Sequence, residues 1–340
     1  MAVIYIREQG SYIRKVDERI AVTRNNLTVL EIPVANMDNI ALMGNVQITT
    51  QALQFLMDNG IDVSFFTFSG KYIGQAAADR SKNVFLRFAQ YELYNDVPRR
   101  ISLAKTIVNC KIDNQIRIIT KHDWRKSDYD WKKDVESLQK VRQSLQKAET
   151  SNEVMGVEGM CSNIYFSAFG KMFHCDFIFT GRNRRPPKDP INILISLGYT
   201  FLTRDVSAVL DAQSFEMYLG ILHGIRYGRK SLPLDLMEEF RQPVVDQMVI
   251  RVCNKRIINQ FDFDEEADRI VLTEEGFKKF CHEYEKWING KNGINYRGLI
   301  RRQAIRLRKT VLEKETYQPF KMEEISEKDD GSDADDSGEL

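Results

Sequence analysis

Near residue 80 the hydrophobic pattern of this chain changes period, so a strand-built part must be followed by a helix-built part. Before that point AVIYI, SYIRKVDERIAVTR, LTVLEIPVANMDNIALMG and IDVSFFTF are rich in Val, Ile, Phe and Thr and are broken by Gly10, Asn25-Asn26, Gly44 and Gly60, which is a strand-and-turn pattern. One stretch among them, TTQALQFLMDNG, spaces Ala52, Leu53, Leu56 and Met57 for a helix, with Thr49 or Thr50 to cap it and Gly60 to stop it. From about Ser81 apolar residues recur every three or four positions instead. The pattern predicts an α+β protein. A small β-rich, β-sandwich-like domain occupies residues 1–75, a linker 76–84, and a larger all-α domain 85–322, with a short hairpin expected around FDFDEEADRIVLT.

Charge separates one more piece. The whole chain carries a net charge of +1, yet Glu323 to Leu340 holds nine acidic residues against Lys328, a local charge of −8 that leaves +9 on residues 1–322. A basic body with an acidic, solvated tail suits a binder of polyanions, though a tail of this kind also serves solubility alone. The five cysteines are scattered without a CxxC pair, so neither a zinc motif nor a disulfide framework is expected. The N-terminus has no signal-peptide pattern, and the uncharged run 190–203 is too short to span a bilayer. A cytoplasmic protein without membrane association is expected.

Chemistry concentrates between His223 and Arg241. A histidine, the basic residues Arg226, Arg229 and Lys230, and the carboxylates Asp235, Glu238 and Glu239 fall within nineteen residues. Imidazole and carboxylate ligate divalent cations, while guanidinium and ammonium hold phosphates. Gly224, Gly228 and Pro233 argue against one continuous helix from His223 to Glu238. A further ligand must come from elsewhere. Glu158 lies inside the apolar helical pattern of Val157, Met160, Cys161, Ile164, Tyr165, Ala168 and Phe169. A buried carboxylate needs a cation, a metal or a hydrogen-bond network opposite it, and a structural salt bridge satisfies that need as well as a metal does. Two more basic features stand out: the proline-stiffened loop GRNRRPPKDP, and a last helix bearing Arg297, Arg301, Arg302, Arg306, Arg308 and Lys309. The polar run 124–154 reads as a solvated helix face. Asp189-Pro190 reads as the cap and first turn of the helix that follows.

A histidine with two carboxylates is a hard, open set suited to Mn²⁺ or Mg²⁺. The segments GVEGMCSNIYF, NRRPPKDPINILISLGYTFL and LHGIRYGRKSLPLDLMEEFRQPVVD, in this order and at this spacing, resemble the CRISPR-associated protein Cas one family, the metal-dependent DNA endonuclease and integrase of spacer acquisition, here of a type I system. The resemblance runs to about residue 310. It implies that Glu158, His223 and Glu238 are catalytic and hold Mg²⁺ or Mn²⁺. Asp235, Asn163 and Tyr165 match supporting polar positions, and Arg184, Arg185, Arg226, Arg229, Lys230 and Arg241 are candidate contacts to the DNA backbone. Glu239 is expected at the surface.

The resemblance further implies a homodimer formed through the β-rich domain, two such dimers bridging a dimer of the partner Cas two, and double-stranded DNA substrates. In that complex the prespacer 3′-hydroxyl attacks a phosphodiester at a repeat edge. A stand-alone structure-specific nuclease and a non-catalytic DNA-binding scaffold are the alternatives. The acidic tail lies outside the family pattern. A ligating His223 must be neutral, so activity is expected to fall as the pH drops below about 6.5.

Overall fold

The structure, a computed structural model, describes residues 2–322 apart from 79–82, 126, 184–185, 267–268 and 292. Strands β1 (Ala2–Ile6), β2 (Tyr12–Val16), β3 (Arg19–Arg24), β4 (Leu27–Pro33), β5 (Met37–Met43) and β6 (Gln47–Ile48) lead to helix α1 (Thr50–Asp58), then to β7 (Asp62–Phe66) and β8 (Tyr72–Ala76). They make two four-stranded sheets, in the orders β4-β3-β2-β6 and β1-β5-β7-β8. In the second sheet β1, β5 and β7 run parallel and β8 closes antiparallel.

The middle strands are covered on both faces, which explains the apolar run Ile40–Met43 of β5. On β5, Ile40 and Leu42 join Ile6, Ile13, Ile20, Val22 and Val63 in a core between the sheets, with Ala52 and Leu56 of α1. Ala41 and Met43 point the other way, into the core of the helical part. Period two thus makes one sheet the middle layer of the molecule. Helix α1 starts and stops where the sequence places its signals: Ala52 N–H donates to Thr49 Oγ1 at 3.1 Å, and Gly60 takes φ +70° just after the helix.

The helical part contains α2 (Val84–Asn95), α3 (Val97–Lys121), α4 (Trp131–Arg142), α5 (Ser151–Gly170), α6 (Pro190–Ala212), α7 (Ser231–Met237), α8 (Gln247–Asn254), α9 (Glu274–Ile288) and α10 (Tyr296–Glu313). It is mostly helical rather than all-α, because β9 (Phe263–Glu266) and β10 (Arg269–Leu272) pair antiparallel in the region where the hairpin is expected. Asp189 caps α6 by accepting from Asn192 N–H at 2.8 Å, with Pro190 in its first turn. This helix is long and apolar enough to cross a membrane by length and composition, but fourteen of its residues are buried inside the protein.

A charged network ties the middle sheet to the helices. Tyr5 of β1 stacks on Phe201 and donates to Glu285, while its hydroxyl accepts from Arg204. Arg204 also pairs with Asp205, and Arg297 of α10 pairs with Asp205 and Glu285. Buried charges persist only when paired in this way. Arg297, one of the basic residues noted on the last helix, is half-buried and turned toward this network.

Candidate metal centre

Local structure first explains why Glu238 and His223 approach each other. Glu238 follows the last residue of helix α7 and its N–H reaches back to Asp235 O at 3.2 Å, after which the chain enters a π-helical turn at Arg241–Asp246. Pro243 within that turn has no N–H to offer the Glu239 carbonyl four residues back. Asn114 of α3 supplies the missing donor from its side chain at 2.8 Å. Trp287 of α9 donates to Pro243 O at 3.0 Å. The irregular turn is thereby fastened to two neighbouring helices.

His223 lies in the loop between α6 and α7, and one buried carboxylate shapes that loop. Asp235 Oδ2 accepts from Ile221 N–H at 2.5 Å and Leu222 N–H at 3.2 Å, while Oδ1 accepts from His223 N–H at 3.0 Å and lies 2.5 Å from His223 Nδ1. A Cβ on Gly220 would sit 2.3 Å from His223 O and 2.9 Å from Asp235 Oδ2, so only glycine lets the carboxylate in. With its Nδ1 hydrogen directed at Asp235, the imidazole keeps the Nε2 lone pair for a metal. Burial by itself would lower the His223 pKa, but the hydrogen bond and charge of Asp235 raise it above its ordinary value.

Glu158 comes from the middle of α5, which is capped by a reciprocal Thr150–Glu153 box. Ser162, one turn on, donates to Glu158 Oε1 at 2.8 Å and itself accepts from Gln115 of α3 at 3.4 Å. The partner of both candidate carboxylates is Lys111 of α3. Its ammonium donates to Glu158 Oε1 and stands 2.6 Å from Glu238 Oε2. Arg241 holds the other Glu238 oxygen at 2.9 Å. Burial pushes both carboxyls upward, but these charges outweigh it: Lys111 brings Glu158 below its ordinary value, and Arg241 with Lys111 bring Glu238 to about 2. Both are therefore ionised at neutral pH.

The donor set fits a hard divalent cation. It offers one imidazole nitrogen and two ionised carboxylates, and the buried Glu238 Oε2, close as it is to Lys111, has no well-directed hydrogen bond. Among the described residues, however, no three His, Cys, Asp or Glu side chains already stand around a common point as ligands would. The ammonium of Lys111 occupies the place between Glu158 and Glu238.

The family model for the CRISPR associated protein Cas1 matches residues 4–286. The chain belongs to the Cas1 family. A Cas1 endonuclease of Thermus thermophilus is 31% identical over 334 residues, covering 94% of this chain and 97% of its own. The solved structure of a Cas1 protein from Thermotoga maritima superposes with a TM-score of 0.82 at 26% identity, over 94% of this chain and 100% of that one. A casposase bound to its integration product shares the fold, with a TM-score of 0.82 at 20% identity, over 93% and 92% of the two chains.

Within this Cas1 fold the residues expected at the site separate into groups. Lys111 brings Glu158 and Glu238 to one point, and His223, held by Asp235, lies within reach of the Glu238 charge. Tyr165 is fully buried and donates to Asp246 Oδ2 at 2.9 Å, beside Tyr199, which donates to Oδ1 at 2.7 Å. Asn163 is exposed on α5, about 140° around the helix from Glu158. Arg241 is turned inward, 4.5 Å from the Tyr199 ring centre and paired with Glu238. Arg226 is exposed, Arg229 donates to Gly224 O and Ser231 Oγ, and Lys230 lies 5.9 Å from the Tyr72 ring of β8. Arg184, Arg185 and the tail 323–340 lie outside the described residues.

One expectation is overturned. Glu239 is not at the surface but completely buried, accepting from Tyr317 Oη at 2.6 Å and Phe320 N–H at 2.8 Å, and burial pushes its carboxyl up to about 7. The segment after α10 folds back over this turn, with Phe320 stacked on Phe240 at 4.9 Å. Sequence reasoning also missed Lys111 and Ser162. Ser162 follows Glu158 at helical i+4 spacing and was legible in principle, whereas Lys111 lies 47 residues upstream with no local pattern to mark it.

Proposed function

We propose that this chain is a metal-dependent DNA endonuclease and integrase that inserts prespacer DNA into a CRISPR array, together with Cas2. The observation that carries the reading is the Glu158–Glu238 carboxylate pair held about one ammonium, with His223, oriented by Asp235, within reach of the Glu238 charge. The Cas1 family membership and the endonuclease name of the Thermus relative support it.

Glu158, Glu238 and His223 Nε2 are the groups that would hold Mg²⁺ or Mn²⁺. Such a cation, when bound, neutralises phosphate charge and lowers the pKa of an attacking hydroxyl. The chain's own residues do the rest. Asp235 keeps the His223 proton on Nδ1, and the buried Arg241 fixes the Glu238 carboxylate. The exposed Arg226, beside His223 in the loop, faces the solvent from which a DNA backbone approaches. The acceptor bond is a repeat-edge phosphodiester, attacked by the prespacer 3′-hydroxyl. The new phosphodiester forms as the old P–O bond breaks and its 3′-oxygen leaves with a proton. A homodimer formed through the β-rich domain completes the assembly.

The test is a joining assay with the full chain, Cas2, Mn²⁺ or Mg²⁺, a duplex with free 3′ ends and a repeat-bearing plasmid. Joined product that disappears in Glu158→Ala is expected. Cleavage without joining would support a stand-alone nuclease instead, and equal joining by Glu158→Ala would refute the metal site.

A further inference from the structure

We infer that Lys111 is a displaceable counter-ion of the metal centre: its ammonium holds Glu158 and Glu238 while no metal is bound and gives way to the divalent cation. The inference rests on the proposed metal site and adds a residue to it. Lys111 is 5% exposed, near the middle of α3, and its ammonium contacts one oxygen of each of the two candidate carboxylates.

Three features distinguish this lysine from an ordinary buried salt bridge. First, it is bound by two carboxylates that would otherwise repel each other, and a lone positive charge between two negative ones does the work a divalent cation would do. Second, Nζ is 2.6 Å from Glu238 Oε2, whereas Mg²⁺ takes carboxylate oxygens at about 2.0–2.1 Å. A cation bridging Glu158 and Glu238 would overlap the ammonium, so the two occupants exclude each other. Third, the surroundings provide for an exchange. Each ligand has a second support that does not depend on Lys111, Ser162 for Glu158 and Arg241 for Glu238. The Glu158 and His223 side chains, 23% and 24% exposed, leave one side of the site open. A lysine stem of four methylenes lets the ammonium turn outward without moving the helix.

Neighbouring side chains on α3 are unlike it in this respect. Asn114 and Gln115 are also buried, but they bond the Glu239 carbonyl and Ser162 and have no charge to exchange. They hold the frame in which the lysine can be replaced.

The experiment compares full-length wild type with Lys111→Met, which keeps the apolar stem, and Lys111→Arg, which keeps the charge. Mn²⁺ affinity is read by electron paramagnetic resonance, and melting temperature is read in EDTA and in saturating Mn²⁺. Lys111→Met is expected to melt lower than wild type in EDTA, to gain more from Mn²⁺, and to bind Mn²⁺ tighter by on the order of tenfold, the size of one competing charge-assisted contact. Lys111→Arg is expected to bind Mn²⁺ no more tightly than wild type. A lysine with a purely structural role gives the opposite sign, with weaker Mn²⁺ binding in Lys111→Met, and that result overturns the inference. If Mn²⁺ affects neither protein, the metal site and the exchange both fail. If Mn²⁺ stabilises wild type and Lys111→Met alike, the exchange fails and the metal site stands.

Discussion

Replacing Asp235 by Asn tests the proposal that Asp235 makes His223 a metal ligand. The Asp235 carboxylate is completely buried and accepts from Ile221, Leu222 and His223 N–H at 2.5, 3.2 and 3.0 Å, besides facing His223 Nδ1. An amide fills the same volume with one acceptor oxygen in place of two. With its carbonyl toward Ile221 and Leu222, it turns an NH₂ against His223 N–H and favours the imidazole tautomer protonated on Nε2, which cannot ligate there. Flipped, it turns the NH₂ against Ile221 and Leu222. Either way at least one charge-assisted hydrogen bond is lost, at about 1.5–3 kcal/mol each, and support of a ligand of this kind is worth about 10–100-fold in metal affinity.

The pH dependence supplies a second sign. Asp235 raises the His223 pKa against the lowering effect of burial, so in wild type protons would compete with the proposed metal beginning above the ordinary value of about 6.5. This moves the loss of activity upward from the value expected from sequence. In Asp235→Asn burial meets less opposition and the pKa falls, so metal binding persists to lower pH. The affinity deficit of the variant should therefore be largest near pH 8 and narrow toward pH 6. Mn²⁺ titrations across that range, with NMR titration of the His223 ring in EDTA, measure both quantities. Equal Mn²⁺ affinity at pH 8 together with an unchanged histidine midpoint would refute the assignment of Asp235 as the group that orients His223.

Three further outcomes are expected. Asp246 is held by Tyr165 and Tyr199, and burial raises its carboxyl to about 6. The folded state therefore keeps its proton more tightly than the unfolded one, and stability present below about pH 4 is lost as the pH rises through 6, by about 3 kcal/mol. The difference in unfolding free energy between wild type and Asp246→Asn, measured at pH 4 and pH 7, should fall by about 2 kcal/mol, the part of that loss above pH 4, and a flat difference would count against the burial argument. Gly220→Ala places a Cβ 2.3 Å from His223 O and 2.7 Å from Ser231 Cβ. Such overpacking costs about 1–3 kcal/mol, and the displaced His223 loop should weaken Mn²⁺ binding; a variant that melts and binds like wild type contradicts the packing. Finally, neutralising Arg226 should weaken DNA binding alike for unrelated sequences and reduce the slope of log affinity against log salt by about 1. An unchanged slope removes Arg226 from the DNA-contact surface.

Much of the architecture is written in local pattern. Period two before residue 80 and period 3.6 after it, the Thr49 and Asp189 caps and the hairpin at Phe263–Leu272 are set by interactions within a few residues, and so they are legible one segment at a time. The same holds for the break between His223 and Glu238, which Gly224, Gly228 and Pro233 announce. Glu158 was legible for a different reason: a carboxylate in an apolar helix face needs a partner, although the sequence cannot say which.

The tertiary structure decided that partner. Lys111 reaches Glu158 and Glu238 because α3 packs against α5 and the α7 turn, a contact between segments 47 and 127 residues apart that no local spacing encodes. Glu239 was misplaced for the same reason, since the residues that bury it, Tyr317 and Phe320, come from the far end of the chain. Arg241 looks like a free cation in sequence and is inside the site in space. Sequence fixes what each residue prefers to do nearby. Which charges neutralise each other is settled only when folding brings distant helices within a few ångströms, where the low dielectric makes pairing compulsory.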